Sequence, residues 1–175
     1  MQQPNSDTAR SATTDYLTFF IAGEEYGVPI LRVREIIGLD IETLTRVPAA
    51  PACVRGVINL RGSVVPVADL AIQFGQGQCT ITKLTCVVVV EVAFDGELTV
   101  MGLLVDSVNQ TMELSSDEVE ATPAFGTIAR AEYLLGMGKA GKKFVMLLDI
   151  DRVLSADELR AVPALTAPAS EQAHG

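Results

Sequence analysis

GVINLRGSVVPVADL, residues 56–70, is the stretch that indicates the fold most clearly. Two apolar runs of strand length flank Arg61 and Gly62, and Asp69 follows the second run. Short apolar runs separated by a turn that contains glycine are typical of a β-hairpin. An arginine at such a tip fits an active-site turn, a phosphate-binding turn or a turn on a protein-binding surface. Features elsewhere in the chain discriminate among these three kinds of turn.

Similar hairpin patterns recur along the chain. YLTFFIA (16–22) is followed by a turn at Gly23 and Glu24, and then by EYGVPI. CVVVVEVAF and ELTVMGLLV (86–105) are separated by Asp95-Gly96, a dipeptide preferred in two-residue hairpin turns. GKKFVMLLDI predicts a further strand near the C-terminus. Many short strands with regular turns favour an all-β fold of small barrels or a sandwich.

Helices are expected to be few and short. Asp69 is a candidate N-cap for a helical turn that ends at Gly75. SSDE (115–118) and SADE (155–158) have the form of a capping box, with Ser followed by Glu three residues later. The second of these predicts a short helix that ends at Pro163.

The two halves of the chain share a faint repeat. Gly56 precedes Asp69 by 13 residues (69 − 56), and Gly136 precedes Asp149 by the same number (149 − 136). Both aspartates close an apolar strand. A second point of register is the match of Gly27, Val28 and Val33 with Gly102, Leu103 and Val108. The pattern predicts duplicated five-stranded units, with chance coincidence as the alternative.

Composition excludes several classes of protein. The chain has 175 residues, 49% of them hydrophobic, and a formal net charge of −9. An acidic chain without a basic stripe is unsuited to nucleic acid or to anionic membrane surfaces. Its apolar runs are far shorter than the roughly 20 residues that a membrane-spanning helix needs. Cys53, Cys79 and Cys86 lack CxxC spacing, so neither a disulfide framework nor a zinc site is expected, and a cytoplasmic setting fits best.

Residues for catalysis are scarce. The single histidine, His174, lies in a tail rich in Ala, Pro and Ser that is expected to be disordered, so a Ser–His–Asp or Cys–His arrangement has no base. GMGKAGKK (136–143) lacks the spacing of a phosphate-binding loop and is interpreted as a polar turn between strands. Asp69 and Asp149 are either an acid–base pair or two caps of helical turns. An acid–base enzyme that uses Asp69, Glu35 and Arg61 remains a remote alternative.

Glu35, within LRVREII, bears on the role of Arg61. One interpretation makes Glu35 a solvated charge on a strand. The other pairs it with Arg61 across neighbouring strands, so that it fixes the direction of the guanidinium. As a binding anchor Arg61 suits its residue type, because arginine is enriched at interaction hot spots.

The run RVPAAPACVRGVINLRGSVVPVADLAIQFG (46–75) resembles the signature of the CheW family of bacterial chemotaxis coupling proteins. Further stretches resemble that family in the same order, and together the similarity covers about residues 16–155: FFIAGEEYGVPILRVREII (19–37), MGLLVDSVNQTMEL (101–114) and FVMLLDIDRVL (144–154). Two departures stand out. Ala71 and Gln73 replace residues that are often basic in the family, and the connection between Glu35 and Pro48 is slightly long.

The resemblance implies a fold of two SH3-like five-stranded β-barrels related by a pseudo-twofold axis. It covers a CheW-like domain at 16–155, with halves 16–80 and 81–155 and with exchange of strands between the barrels as an open alternative. The composition of the two ends, which the family pattern does not explain, predicts a flexible tail at 1–15 and a short helix with a disordered tail at 156–175. The resemblance implies an adaptor without enzymatic activity, without a cofactor and without a metal. The adaptor joins the cytoplasmic tip of methyl-accepting chemoreceptors to a CheA-type histidine kinase in a membrane-associated array.

The resemblance also implies site residues. The receptor-facing surface comprises Val33, Glu35 and Arg61, and a groove between the barrels lined by Val33, Val105 and Val108 is expected to hold a receptor helix, with Arg61 at its rim. The kinase-facing end of the first barrel comprises Leu44, Thr45, Arg46 and Val64. A CheW-like adaptor of a non-flagellar pathway, such as pilus-based motility, is the alternative within the same class.

Overall fold

The computed structural model describes residues 12–94, 96–121 and 133–154. Eleven strands and a few short helical turns make up this part of the chain. The strands are β1 (Thr13–Ile21), β2 (Glu24–Pro29), β3 (Val33–Gly38), β4 (Val54–Leu60), β5 (Ser63–Asp69), β6 (Cys86–Phe94), β7 (Glu97–Val105), β8 (Ser107–Ser115), β9 (Val119–Glu120), β10 (Leu134–Ala140) and β11 (Lys143–Leu148). The helical turns are α1 (Leu70–Gln73) and three 3-10 turns, Ile30–Arg32, Ile41–Thr43 and Ser116–Glu118.

The strands form two curled sheets. The first has six strands in the order β8-β1-β2-β11-β10-β9, and the second has five in the order β3-β6-β7-β5-β4. Neighbouring strands are antiparallel except for β2 with β11 and β5 with β7, which run parallel. Each sheet therefore combines strands from both halves of the sequence. The fold is all-β with two SH3-like barrels, as predicted, and the first sheet gains a short sixth strand, β9.

Three apolar clusters explain why β6 and β7 are nearly continuous hydrophobic runs. Along β6, Val88 and Val90 belong to the large core between the two sheets. Val87 and Val89 alternate with them and face the interior of the second barrel. A strand buried on both faces needs apolar side chains at every position. A third and smaller cluster fills the first barrel: Tyr16, Leu114, Val145 and Leu147.

The predicted repeat is confirmed by matching bulges. The pairing of β4 with β5 shifts register next to Gly56, and the pairing of β10 with β11 shifts next to Gly136. A Cβ at Gly56 would lie 2.3 Å from the Thr45 carbonyl oxygen, and one at Gly136 would lie 2.8 Å from the Glu120 carbonyl oxygen. Only glycine allows another backbone to approach so closely.

The aspartates of the repeat also occupy matching positions, one in each sheet. The Asp69 amide donates to the Cys53 carbonyl at 2.6 Å, and the Asp149 amide donates to the Tyr133 carbonyl at 2.7 Å. The Asp69 carboxylate accepts from the Ala71 amide at 3.0 Å and caps α1, as the sequence predicts. The Asp149 carboxylate accepts from the Asp151 amide at 3.2 Å. The two carboxylates belong to different barrels and serve local turns.

The remaining turn predictions have mixed outcomes. Ser115 and Glu118 form the predicted capping box. The turn within GMGKAGKK falls at Gly141 and Lys142, between β10 and β11. The first hairpin turns at Ala22 and Gly23, one residue earlier than predicted. Asp95, the helix expected from residue 155 onward, and both tails lie outside the described residues, although Phe94 and Glu97 do pair across the predicted hairpin.

Candidate protein-binding site

The tip of the β4–β5 hairpin holds Arg61 in an uncommon backbone conformation. The φ angle is 53° at Arg61 and 88° at Gly62. Two successive positive φ angles are typical of a type I′ hairpin turn, whose twist matches that of the flanking strands. The Asn59 side-chain oxygen accepts from the Gly62 amide at 2.8 Å and stabilises the turn. The guanidinium therefore projects from a rigid tip.

Arg61 and Glu35 form a two-pronged ion pair. Arg61 Nη1 donates to Glu35 Oε2, and Nη2 donates to Oε1 at 2.9 Å. The Arg61 side chain is 74% exposed, whereas that of Glu35 is 24% exposed. The hydrogen bond and the charge of Arg61 lower the pKa of Glu35, and those of Glu35 raise the pKa of Arg61. The predicted pairing is confirmed, and its main effect is to fix a guanidinium that remains accessible on its outer face.

The pair lies at the mouth of a cleft of about 350 Å³ at one end of the second barrel. Val65 and Val89 come from the interior of this barrel, so the cleft opens onto its core. The complete lining combines aliphatic walls with a charged rim: Arg34, Glu35, Leu60, Arg61, Ser63, Val64, Val65, Val89, Thr99 and Val100. An apolar floor with a few fixed polar groups at the rim is the usual composition of a protein-binding hot spot.

The three valines of the predicted receptor groove are absent from the lining of this cleft. Val33 and Val108 are half-buried and pack against the core between the sheets. Val105 is 0% exposed in that same core. The expectation that Val105 lines an open groove therefore does not hold, because β7 is buried on both faces from Met101 to Val105.

The residues predicted to face a kinase separate into two places. Leu44 and Arg46 line a second cleft of about 560 Å³, beside the start of β4. Thr45 is exposed and bridges to Val57 through paired backbone hydrogen bonds of 2.7 and 2.8 Å. Val64 instead lies in the cleft beside Arg61.

Asp69 has a partner that sequence reasoning missed. Arg55 Nη1 lies 2.8 Å from Asp69 Oδ2, and the same oxygen accepts from the Cys79 amide at 2.9 Å. The Asp69 side chain is 0% exposed and that of Arg55 is 18% exposed. A carboxylate so completely bonded within the protein stabilises the fold and is poorly placed to transfer protons to a substrate. Arg55 lies at the bulge beside Gly56, where the pairing of β4 with β5 shifts register. The local sequence does not show this shift, and so it does not identify Arg55 as the partner of Asp69.

The surroundings of Cys79 do not favour a reactive thiolate. Cys53 and Cys79 are buried, and Cys86 is half-buried. The Cys79 thiol donates to Asp106 at 3.1 Å, and burial together with the charges of Asp106 and Asp69 raises the pKa of this thiol to about 12. Across the part of the chain that the structure describes, no group of three or more His, Cys, Asp and Glu side chains is placed to hold a metal ion. In that same part, no helix has the length and apolar character to cross a membrane.

Comparison with known proteins agrees with this architecture. The family model of the CheW-like domain matches residues 15–158. The chain is 35% identical to a chemotaxis protein CheW of Klebsiella aerogenes, over 85% of this chain and 86% of that protein. It is 29% identical to Protein FrzA of Myxococcus xanthus, over 85% of this chain and 89% of that protein.

A solved structure shares the fold. The crystal structure of the scaffolding protein TtCheW from Thermoanaerobacter tengcongensis superposes with a TM-score of 0.74 at 26% identity, over 84% of this chain and 91% of the other. Sequence and structure thus point to the same family over nearly all of the described residues. The chain belongs to the CheW family of chemotaxis scaffold and adaptor proteins.

Proposed function

We propose that this protein is a non-enzymatic adaptor that couples transmembrane chemoreceptors to a CheA-type histidine kinase. The observation that carries the proposal is the two-pronged Arg61–Glu35 pair, which holds an exposed guanidinium at the rim of an apolar cleft in a chain of the CheW family. In this role the protein acts by contact alone. It is recruited from the cytoplasm to receptor arrays at the membrane.

The receptor-facing surface comprises Arg61, Glu35 and the exposed flank of β3. Arginine is the residue type most suited to an interface anchor, since its planar group makes several directed hydrogen bonds and stacks on apolar surface. The exposed parts of Val33 and Val108 extend this surface toward the junction of the two sheets. A receptor tip is a helical hairpin, so its docking follows the helix-in-groove mode, with an apolar stripe on the protein and polar contacts at the rim.

The kinase-facing surface comprises Leu44, Thr45 and Arg46, with Val64 nearby in the same barrel. Thr45 lies beyond β4, and through its bridge to Val57 it extends the open edge of the second sheet. The half-buried Leu44 packs against the interior of this barrel, and Arg46 is exposed beside it. An apolar residue beside an exposed arginine at a sheet edge suits the end-on contact of one barrel with another.

The direct test is co-precipitation with a receptor cytoplasmic fragment and with a CheA-type kinase, measured separately. Arg61→Glu reverses the charge of the anchor and repels Glu35, so receptor binding is expected to be lost while kinase binding and the melting temperature remain nearly unchanged. Arg152→Glu is the matched control, because Arg152 is exposed and its ion pair among the described residues is with the neighbouring Asp149, at 3.5 Å. Receptor binding by the Arg61→Glu variant equal to that of the control would remove Arg61 from the interface.

A second candidate output lies within the same adaptor class. The similarity to Protein FrzA, a relative whose name is not that of a chemotaxis protein, supports an adaptor role in a non-flagellar pathway as the second candidate. The genes beside this one and the receptors that co-purify with the protein discriminate between the two outputs. Recovery only of receptors and kinase encoded beside genes for pilus-based motility would establish the second.

A further inference from the structure

The chain passes from the first sheet to the second at one short crossing, Ile30–Arg32, between β2 and β3. β3 is an edge strand that pairs only with β6, and their register shifts between Val33 and Glu35. An edge strand with a bulge has fewer cross-strand hydrogen bonds than an interior one, and it opens more readily. Glu35, which holds Arg61 in place, therefore lies on one of the less constrained strands of the second barrel.

Arg32 connects the start of this strand to both sheets. Its Nε donates to the Glu91 carbonyl of β6 at 2.9 Å, Nη1 donates to Asp151 Oδ2 at 3.3 Å, and Nη2 donates to Asp151 Oδ1. Asp151 follows β11 of the first sheet, and its Oδ1 also accepts from the Ala93 amide of β6 at 2.8 Å. These contacts form a clasp between Arg32, Asp151 and the outer part of β6.

The clasp differs from the other surface ion pairs of this region. Arg34 contacts Glu91 through a single long bond of 3.4 Å within one sheet, and Arg152 contacts Asp149 at 3.5 Å within one loop. Isolated exposed pairs of that kind contribute little to stability. Arg32 instead satisfies three acceptors on two elements, with side-chain exposures of 28% for Arg32 and 37% for Asp151. A planar donor fixed at three points specifies geometry even where its net energy is small.

We propose that the Arg32–Asp151 clasp positions the binding surface: it fixes the start of β3, and through β3 it sets where Glu35 holds Arg61. Arg32 is thus a positioning residue that acts without touching the partner. This inference rests on the proposed receptor-binding function of the Arg61–Glu35 surface. It adds that the contact surface on the second sheet depends on a loop of the first sheet.

The experiment compares Arg32→Met, Asp151→Asn and the control Arg152→Met in the full-length protein. Methionine keeps the apolar stem of arginine and removes the donors. Asparagine keeps an acceptor for the Ala93 amide and removes the charge, so it supplies a milder variant if Arg32→Met does not fold. Amide hydrogen exchange of β3 and of β11 is measured by NMR, together with binding to a receptor cytoplasmic fragment.

We expect exchange in β3 to be about fivefold faster in both clasp variants, with β11 unchanged, and receptor affinity to fall by a similar factor. The Arg152→Met control should match the wild type in both measurements. Unchanged exchange in β3, equal acceleration in every strand, or faster β3 exchange with unchanged receptor affinity would each overturn the inference. A wild-type protein that does not bind the receptor fragment contradicts the proposed function itself, and the exchange data then decide only whether the clasp orders β3.

Discussion

At the scale of single residues, the same kind of ion pair has different roles according to its burial. Asp69 and Glu35 are both carboxylates paired with an arginine, yet Asp69 is fully buried and Glu35 lies at the protein surface. Inside the barrel, the Arg55–Asp69 pair holds together the bulge, α1 and the segment around Cys79. At the surface, the Arg61–Glu35 pair adds little stability and mainly sets the direction of one exposed guanidinium.

Asp69→Asn tests the interpretation of the buried pair. The amide leaves Arg55 without its charge partner, so the free energy of unfolding should fall by about 1–3 kcal/mol. The matched control is Asp149→Asn at the equivalent position of the other barrel, where the partner Arg152 is 72% exposed, and a smaller loss is expected. Urea denaturation monitored by circular dichroism measures both. Equal losses of unfolding free energy in the two variants would show that burial does not increase the contribution of the Arg55–Asp69 pair to stability.

The Glu35 carboxyl should titrate below the ordinary range for glutamate, since Arg61 stabilises the charged form. Because the pKa is lowered on folding, the favourable interaction is present above the unfolded-state pKa and is lost as the pH falls through the folded-state pKa. Carbon-13 NMR of the Glu35 side chain measures the midpoint, and Arg61→Met should return it toward the ordinary value. A wild-type midpoint already at the ordinary value would contradict the pairing in solution.

At the scale of elements, two features of β4 and β5 are readable from the sequence because they depend on local chemistry. Arg61-Gly62 forms the turn of the predicted hairpin between β4 and β5. Asp69 likewise caps the helical turn that follows its own strand. Contacts between distant parts of the chain could not be predicted in this way. Arg32 and Asp151 are 119 residues apart, and nothing in either local sequence identifies the other as its partner.

The error at Val105 has a different origin. Its strand ends in GLLV, a run without polar alternation, and such a run is typical of burial on both faces. Carrying a groove over from the family placed Val105 at the surface, whereas the local pattern already favoured the interior. Predictions drawn from periodicity held better here than those drawn from analogy, because burial follows directly from which faces of a strand are covered.

Gly56→Ala should be far more destabilising than Gly62→Ala. Both positions have positive φ angles, but a Cβ at Gly56 would lie 2.3 Å from a backbone oxygen, whereas one at Gly62 would have no neighbour within 4 Å. We expect a loss of at least about 2 kcal/mol at Gly56 and about 1–2 kcal/mol at Gly62. Thermal unfolding by calorimetry measures the difference. Equal losses would mean that the bulge can move away from Thr45 at little cost.

At the scale of the whole molecule, the pseudo-twofold relates two barrels of similar backbone that carry different surfaces. Gly141 and Lys142 occupy the turn that corresponds to Arg61 and Gly62, since both lie 80 residues later, matching the offset from Gly56 to Gly136. The anchor arginine is therefore absent from the second copy of the turn. Duplication supplies a rigid frame with a shared core, and only one of the equivalent turns carries the Arg–Glu pair.

We propose that this protein joins a receptor to a kinase by binding both at once. The most direct measurement is sedimentation of a receptor cytoplasmic fragment in a membrane-mimetic assembly with a CheA-type kinase, with and without this protein. We expect the kinase to sediment with the receptor only when the wild-type protein is present, and Arg61→Glu to abolish this effect. Kinase that sediments equally well without the protein, or with the Arg61→Glu variant, would contradict it.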